Sequence, residues 1–168
     1  MPNYIASIAV DDVADALIAF LTPFVAPSVI VRAQGNRVAP ERGPFVLLTE
    51  LRTVDIETPI VSGQQSGGVV SIEGRKRIDW QIDFYGPLSG DQCAAVTSVF
   101  RTPYTVSQFP ANISPLYLSD GIQSPLITGE EQYESRWTVT CSVQYNPSVT
   151  IPAQFAITAR VKSLKDIP

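Results

Sequence analysis

Histidine is absent from the 168-residue chain, and with it goes the side chain most used for proton transfer near neutral pH and a leading metal ligand. Cysteine is almost absent too. Cys93 and Cys141 stand far apart with no second cysteine beside either, so no zinc-ligand spacing exists, and both read as buried thiols that pack as small apolar groups. Neither a metal nor an organic cofactor is expected. Charge is also sparse, at 17% of residues against about 25% in an average globular chain, so much of the surface must be neutral. The net charge is −4 and the longest basic run is Arg75, Lys76, Arg77. That balance argues against a surface that grips a duplex, and it suits one past which nucleic acid slides without sticking. The apolar stretch from Val13 to Val31 is broken by Asp15, Thr22, Pro23, Pro27 and Ser28, which leaves it short of the roughly 18 apolar residues that span a bilayer. No basic residue precedes Arg32, so the start lacks the charged segment of a secretory signal. These absences predict a cytosolic protein, without a membrane span and without catalytic machinery.

What the chain does contain is punctuation: 14 prolines and 10 glycines, set at intervals that suit short strands and turns. One domain over residues 1–168 is expected, because two cores in a chain of this length would each be small. From Asp11 the apolar residues Val13, Ala16, Leu17, Phe20, Leu21 and Phe24 recur at helical spacing, with Asp11 or Asp12 placed to cap the start and Pro23 to stop the helix. Ser28 to Ala33 and Phe45 to Ile56 read as strands. The clearest strand carries Ile78, Trp80, Ile82 and Phe84 alternating with Asp79, Gln81 and Asp83. Ser89 and Gln92 have the spacing of a capping box and predict a second helix running to about Arg101, its small residues Ala94 and Ala95 allowing close approach to the sheet.

Thr105 to Phe109 and Leu116 to Leu118 are short strand candidates, and Pro110 and Pro115 place them at an edge. Trp137, Val139, Cys141, Val143 and Tyr145 alternate with polar neighbours. After Asn146 and Pro147, Phe155, Ile157, Ala159 and Val161 do the same, which predicts a long antiparallel hairpin. The fold class that follows is α+β: a mostly antiparallel β sheet with two helices packed on one face and a long β-hairpin arm.

Constellations able to carry chemistry are few. Asp79 and Asp83 share the polar face of a strand, the pattern of a solvated or lumen-facing sheet surface, and Glu130, Glu131 and Glu134 sit at an exposed junction. Serines are plentiful, but G-x-S-x-G is missing and no histidine can serve as base. The glycines between Ser62 and Gly68 lack the lysine and hydroxyl of a phosphate loop. Trp80, Phe84, Trp137, Tyr145 and Phe155 alternate inward, as core residues do, rather than outward as stacking platforms. No catalytic residue is assigned, and the protein is expected not to be an enzyme.

The run Gln81, Ile82, Asp83, Phe84, Tyr85, Gly86 leads into the helix of Asp91 to Arg101 and follows the long strand Pro44 to Leu51. The late strands run from Arg136 and Trp137 through Tyr145, Asn146 and Pro147 to Val161. In this order of elements, over most of the chain, the sequence resembles the bacteriophage neck and tail terminator proteins of long-tailed phages. The resemblance implies a structural virion protein that forms a ring, a homohexamer, at the head-tail junction. Such a ring caps the tail tube, ends tail polymerisation and joins the tail to the head connector, while genomic DNA passes through the lumen without specific binding. It also implies partners among the tail-tube and head-completion proteins, and assembly in the host bacterial cytoplasm. A tail-tube or tail-completion subunit, or a small-ligand-binding β barrel lined by the Trp and Phe residues, are the alternative readings.

Two surfaces are candidates for contact between copies. Thr58 to Gly74 carries Ile60, Val61, Val69 and Val70 around a tip that includes Gln64 and Gln65, with no charge before Ile72. That is an unusual composition for a loop left in water, and it reads as an arm packed on a neighbouring subunit. Arg75, Lys76 and Arg77 read as an ion-pairing patch toward acidic groups of a neighbour, setting register more than affinity.

Overall fold

The computed structural model describes residues 5–33, 43–65, 69–124, 126–127 and 133–152. In chain order these form helix α1 (Val10–Val25) and strands β1 (Val29–Arg32), β2 (Phe45–Asp55), β3 (Ile60–Gln65), β4 (Val69–Glu73) and β5 (Lys76–Tyr85). Helices α2 (Ser89–Phe100) and α3 (Pro103–Gln108) follow, then β6 (Ile113–Leu118), β7 (Ile122–Gln123), β8 (Leu126–Ile127), β9 (Tyr133–Glu134), β10 (Arg136–Tyr145) and β11 (Ser148–Pro152). The main sheet has the order β1-β2-β5-β10-β6, with β7 also on β10, and only β1 and β2 run parallel. A second sheet has the order β11-β4-β3, and β8 pairs with β9.

The period-two pattern fixes the core. Ile78, Trp80, Ile82 and Phe84 of β5 meet Val143, Cys141, Val139 and Trp137 of β10, and all but the half-buried Trp137 are buried. The helices cover this face with Leu17, Leu21, Cys93 and Val96. Phe20 joins the layers, its ring centroid 5.7 Å from Phe100 and 5.6 Å from Phe109. At the exit of β5, Gly86 has φ 107° and lies so close to Pro44 that a Cβ would approach its ring at 3.0 Å, which leaves the turn to glycine.

The second sheet continues the first. β3 follows β2, β4 precedes β5, and β11 follows β10, so three adjacent strands cross a shared break and emerge as the arm. The ladder is carried over the break by Ile56 N–H donating to the Arg75 carbonyl at 2.9 Å and Gly74 N–H donating to the Pro147 carbonyl at 3.0 Å. Ser7 secures the third strand: its N–H donates to the Ser148 carbonyl, and its hydroxyl accepts from the Ser148 N–H, each at 2.9 Å.

Several local expectations differ from what is observed. Thr105 to Phe109 is not a strand but largely the short helix α3, started by Pro103; the Thr102 and Thr105 hydroxyls donate to the Val99 carbonyl at the end of α2. Pro23 does not stop α1, which runs on to Val25 because the buried Val25 and the Phe20–Phe24 contact hold the last turn. Asp11 and Asp12 lie inside the first turn; Ala9 is the cap residue, and its N–H donates to the Asp12 carboxylate at 2.7 Å. Ser89 and Gln92 form no capping box. Both are buried, Ser89 bonding Ser135 and Gln92 donating to the Val25 carbonyl, so tertiary partners took the polar groups the cap would have used. Ala94 and Ala95 face solvent. The predicted partner of β10, residues 155–161, lies outside the described residues. β10 itself is flanked by β5 and by β6 with β7, and β11 passes to the second sheet.

Candidate assembly surface

The polar face of β5 was expected to be a solvated or lumen-facing surface, yet its two aspartates are buried while Gln81 between them is half-buried. Asp79 is 5% exposed and Asp83 1%. Both sit on a central strand, beneath longer side chains that lean in from β2 and β10. Arg52 Nε donates to Asp79 Oδ2 at 2.7 Å and the Ser142 hydroxyl to Oδ1 at 2.6 Å, with Arg77 Nε 3.2 Å away. Asp83 accepts from Arg136 Nη2 at 3.0 Å, from the Thr138 hydroxyl at 2.6 Å and from Gln81 Nε2 at 2.8 Å.

Burial pushes the Asp79 carboxyl up, but the Ser142 and Arg52 hydrogen bonds and the charges of Arg77 and Arg52 outweigh it and hold it below the usual carboxylate range. Each oxygen of these acids is already engaged with the chain's own donors, which leaves a structural ladder and no poised acid and base. The cysteines are equally inert: burial pushes the thiols of Cys93 and Cys141 up, Cys141 with help from the Asp79 charge, so neither offers a thiolate. Arg52, Arg136, Thr138 and Ser142 on the flanking strands were the signal in the sequence that these two aspartates have partners.

The basic run is spent inside the chain. Arg75 pairs with Glu57 at 3.3 Å, Lys76 with Asp55, and Arg77 with Asp79. Arg75 thereby ties together the two connections at the base of the arm, Lys76 joins β5 to β2, and Arg77 stays within β5. In the arm itself, Ile60 and Val61 are 48% and 66% exposed, Val69 is half-buried, and Val70 is buried against β11. Gln64 and Gln65 complete β3; their side chains, with residues 66–68 at the tip, lie outside the described part. Among the described residues β1 covers the outer edge of β2 only from Phe45 to Leu48 and no strand flanks β3 on its outer side, so one open edge runs from the middle of β2 into the arm. The open half of β2 follows from the shortness of β1, which has four residues against the eleven of β2.

The main sheet ends at β1 and β6 and does not close into a barrel among the described residues. A cleft of about 460 Å³ beside α1 is lined by Asp12, Asp15, Asn112 and Ile113, not by the Trp and Phe residues a ligand-binding barrel would present. No described helix is long and apolar enough to cross a membrane.

The family model of the phage neck terminator protein matches residues 11–166. The chain belongs to the phage neck terminator family. The match takes in α1, the main sheet and the arm, so the surfaces described above lie within the family's shared region. Among known structures the fold is similar to the sheath/tube terminator of an extracellular contractile injection system, PVC, in its extended state. The identity is 10%, the match covers 98% of this chain and 67% of the other, and the TM-score is 0.53. At that identity the likeness is one of fold. No curated protein sequence matches the chain. This neck terminator is accordingly a structural protein of the phage neck and tail.

Proposed function

We propose that the protein forms a closed ring, a homohexamer, at the head-tail junction. There it caps the tail tube, ends tail polymerisation and joins the tail to the head connector, and the genome passes through the ring without specific binding. In this reading residues 1–168 act as one unit, without enzymatic activity, assembled in the host cytoplasm before it becomes part of the virion. The observation that carries the reading is the arm. Its three strands prolong the main sheet beyond the core and present Ile60 and Val61 to solvent with no charge on β3, a surface that copies would bury between them. Gln64, Gln65, Val69 and Val70 belong to the same segment. Arg75, Lys76 and Arg77, each tied to an acid of its own chain beside the base of the arm, would set register against the neighbour.

Deleting residues 63–68 tests this, read by circular dichroism and light scattering. A folded chain that no longer reaches ring mass is expected. A folded variant that keeps the full oligomeric mass would remove the arm from the interface.

A further inference from the structure

The fold also indicates which part of a neighbouring copy the open edge would meet, an inference that rests on the ring reading above. Two exposed apolar surfaces lie on opposite edges of the main sheet. One is the uncovered half of β2 with the residue after it, where Leu51, Val54 and Ile56 are exposed; the other is β6 with α3, where Leu116, Tyr117 and Val106 are exposed. The strand register puts them at the same height. Arg52 aligns through Asp79 and Ser142 with Tyr117, and Val54 aligns through Arg77 and Gln144 with Ser114.

The charges beside the two surfaces are paired within the chain, Arg101 over the Tyr117 ring being tied to Asp120. From Leu51 to Ile56 the charged residues, Arg52 and Asp55, are tied to Asp79 and Lys76 of their own chain, and β6 carries none. Edges meant to stay in water commonly carry lysine or other charge on their outer positions. β6 is poorly suited to accept a further strand by backbone bonding: Pro115 has no N–H, and the Leu118 carbonyl already accepts from Arg101 Nη2 at 3.0 Å. Side chains would therefore make the contact. Rotation about an axis running along the strands carries one edge to the other without a change of height, and repeating it closes a ring through a head-to-tail interface.

We propose that the uncovered half of β2 in one copy packs on the β6–α3 edge of the next. Val54→Asp and Leu116→Asp each spoil one side of that contact. Each variant alone is expected to keep the parent's circular dichroism but to sediment as a monomer where the parent forms rings. An equal mixture of the two retains a single good pair of surfaces per couple and should stop at dimers by native mass spectrometry. As a second measurement, chains with Val54→Cys mixed with chains with Ser114→Cys should oxidise to mixed disulfide dimers, with neither variant cross-linking to itself. Rings of parental mass from both Asp variants, or cross-linking of either Cys variant with its own kind, would overturn the proposed contact while leaving the ring standing. A parent chain that stays monomeric both alone and with tail tubes would overturn the ring reading, and this contact with it.

Discussion

Arg136 donates from both Nε and Nη2 to one oxygen of Asp83, at 3.2 and 3.0 Å, while its guanidinium carbon lies 5.6 Å from the centre of the Tyr85 ring. A buried carboxylate is thereby held between β5 and β10 by a side chain that is itself 23% exposed. Removing the arginine leaves the charge in place with Thr138 and Gln81 as its remaining donors. Arg136→Met should cost about 1.5 to 3 kcal/mol, the range for a hydrogen bond to a charged group, read as a lowered urea midpoint. The double variant Arg136→Met with Asp83→Asn should recover part of the loss, since no buried charge then remains unpaired.

The Asp79 carboxyl, held low in the folded state, contributes stability that is present above its unfolded pKa and is lost as pH falls through the folded one. Melting temperatures measured from pH 5 down to pH 2 should therefore drop for the parent. They should drop less for Asp79→Asn, which starts lower at neutral pH. Parallel curves for the two proteins would place the acid sensitivity elsewhere.

Trp80 is 1% exposed at the centre of the core face. Trp80→Ala should destabilise by about 3 to 5 kcal/mol, as large aromatic truncations in cores do. Trp137, half-buried at the end of the same face, should cost less. Urea unfolding of the two variants side by side checks the order.

A Cβ on Gly121 would come within 2.7 Å of Cys93 Sγ and 3.4 Å of the Trp137 ring. Gly121→Ala should cost about 1 to 3 kcal/mol by overpacking. Adding Cys93→Ala removes the nearer obstacle, so the double variant should be more stable than the sum of the single losses predicts.

The strands legible in the sequence were those with one covered face, because Ile78 to Phe84 and Val139 to Tyr145 must then alternate. Helix α1 was legible from its helical spacing and the arm from an uncharged, glycine-bearing tip between two long strands, whereas α2 was placed by a capping box that its buried Ser89 and Gln92 do not form. The burial of Asp79 and Asp83 was not. Alternation tells which positions share a face, but it does not tell how far the arginines and hydroxyls of neighbouring strands reach across that face. α3 was misread because Thr105 and Val106 favour strands by side-chain shape, while Pro103 and the Val99 carbonyl, which accepts from the Thr102 and Thr105 hydroxyls, decided locally for a helical turn. The open half of β2 depends on how short β1 is and where it lies, a long-range pairing without a local signature.

Because β3, β4 and β11 each follow or precede a strand of the main sheet with only two to four residues between them, the arm is a cantilever built into the core rather than a flap on a linker. A sideways load at its tip must bend three strands together and is resisted at their root, where Arg75 pairs with Glu57, Lys76 pairs with Asp55 of β2, and Ser7 braces β11. If the arm packs on a neighbouring copy as proposed, such a beam would pass force from one copy into the body of the next instead of absorbing it at a hinge.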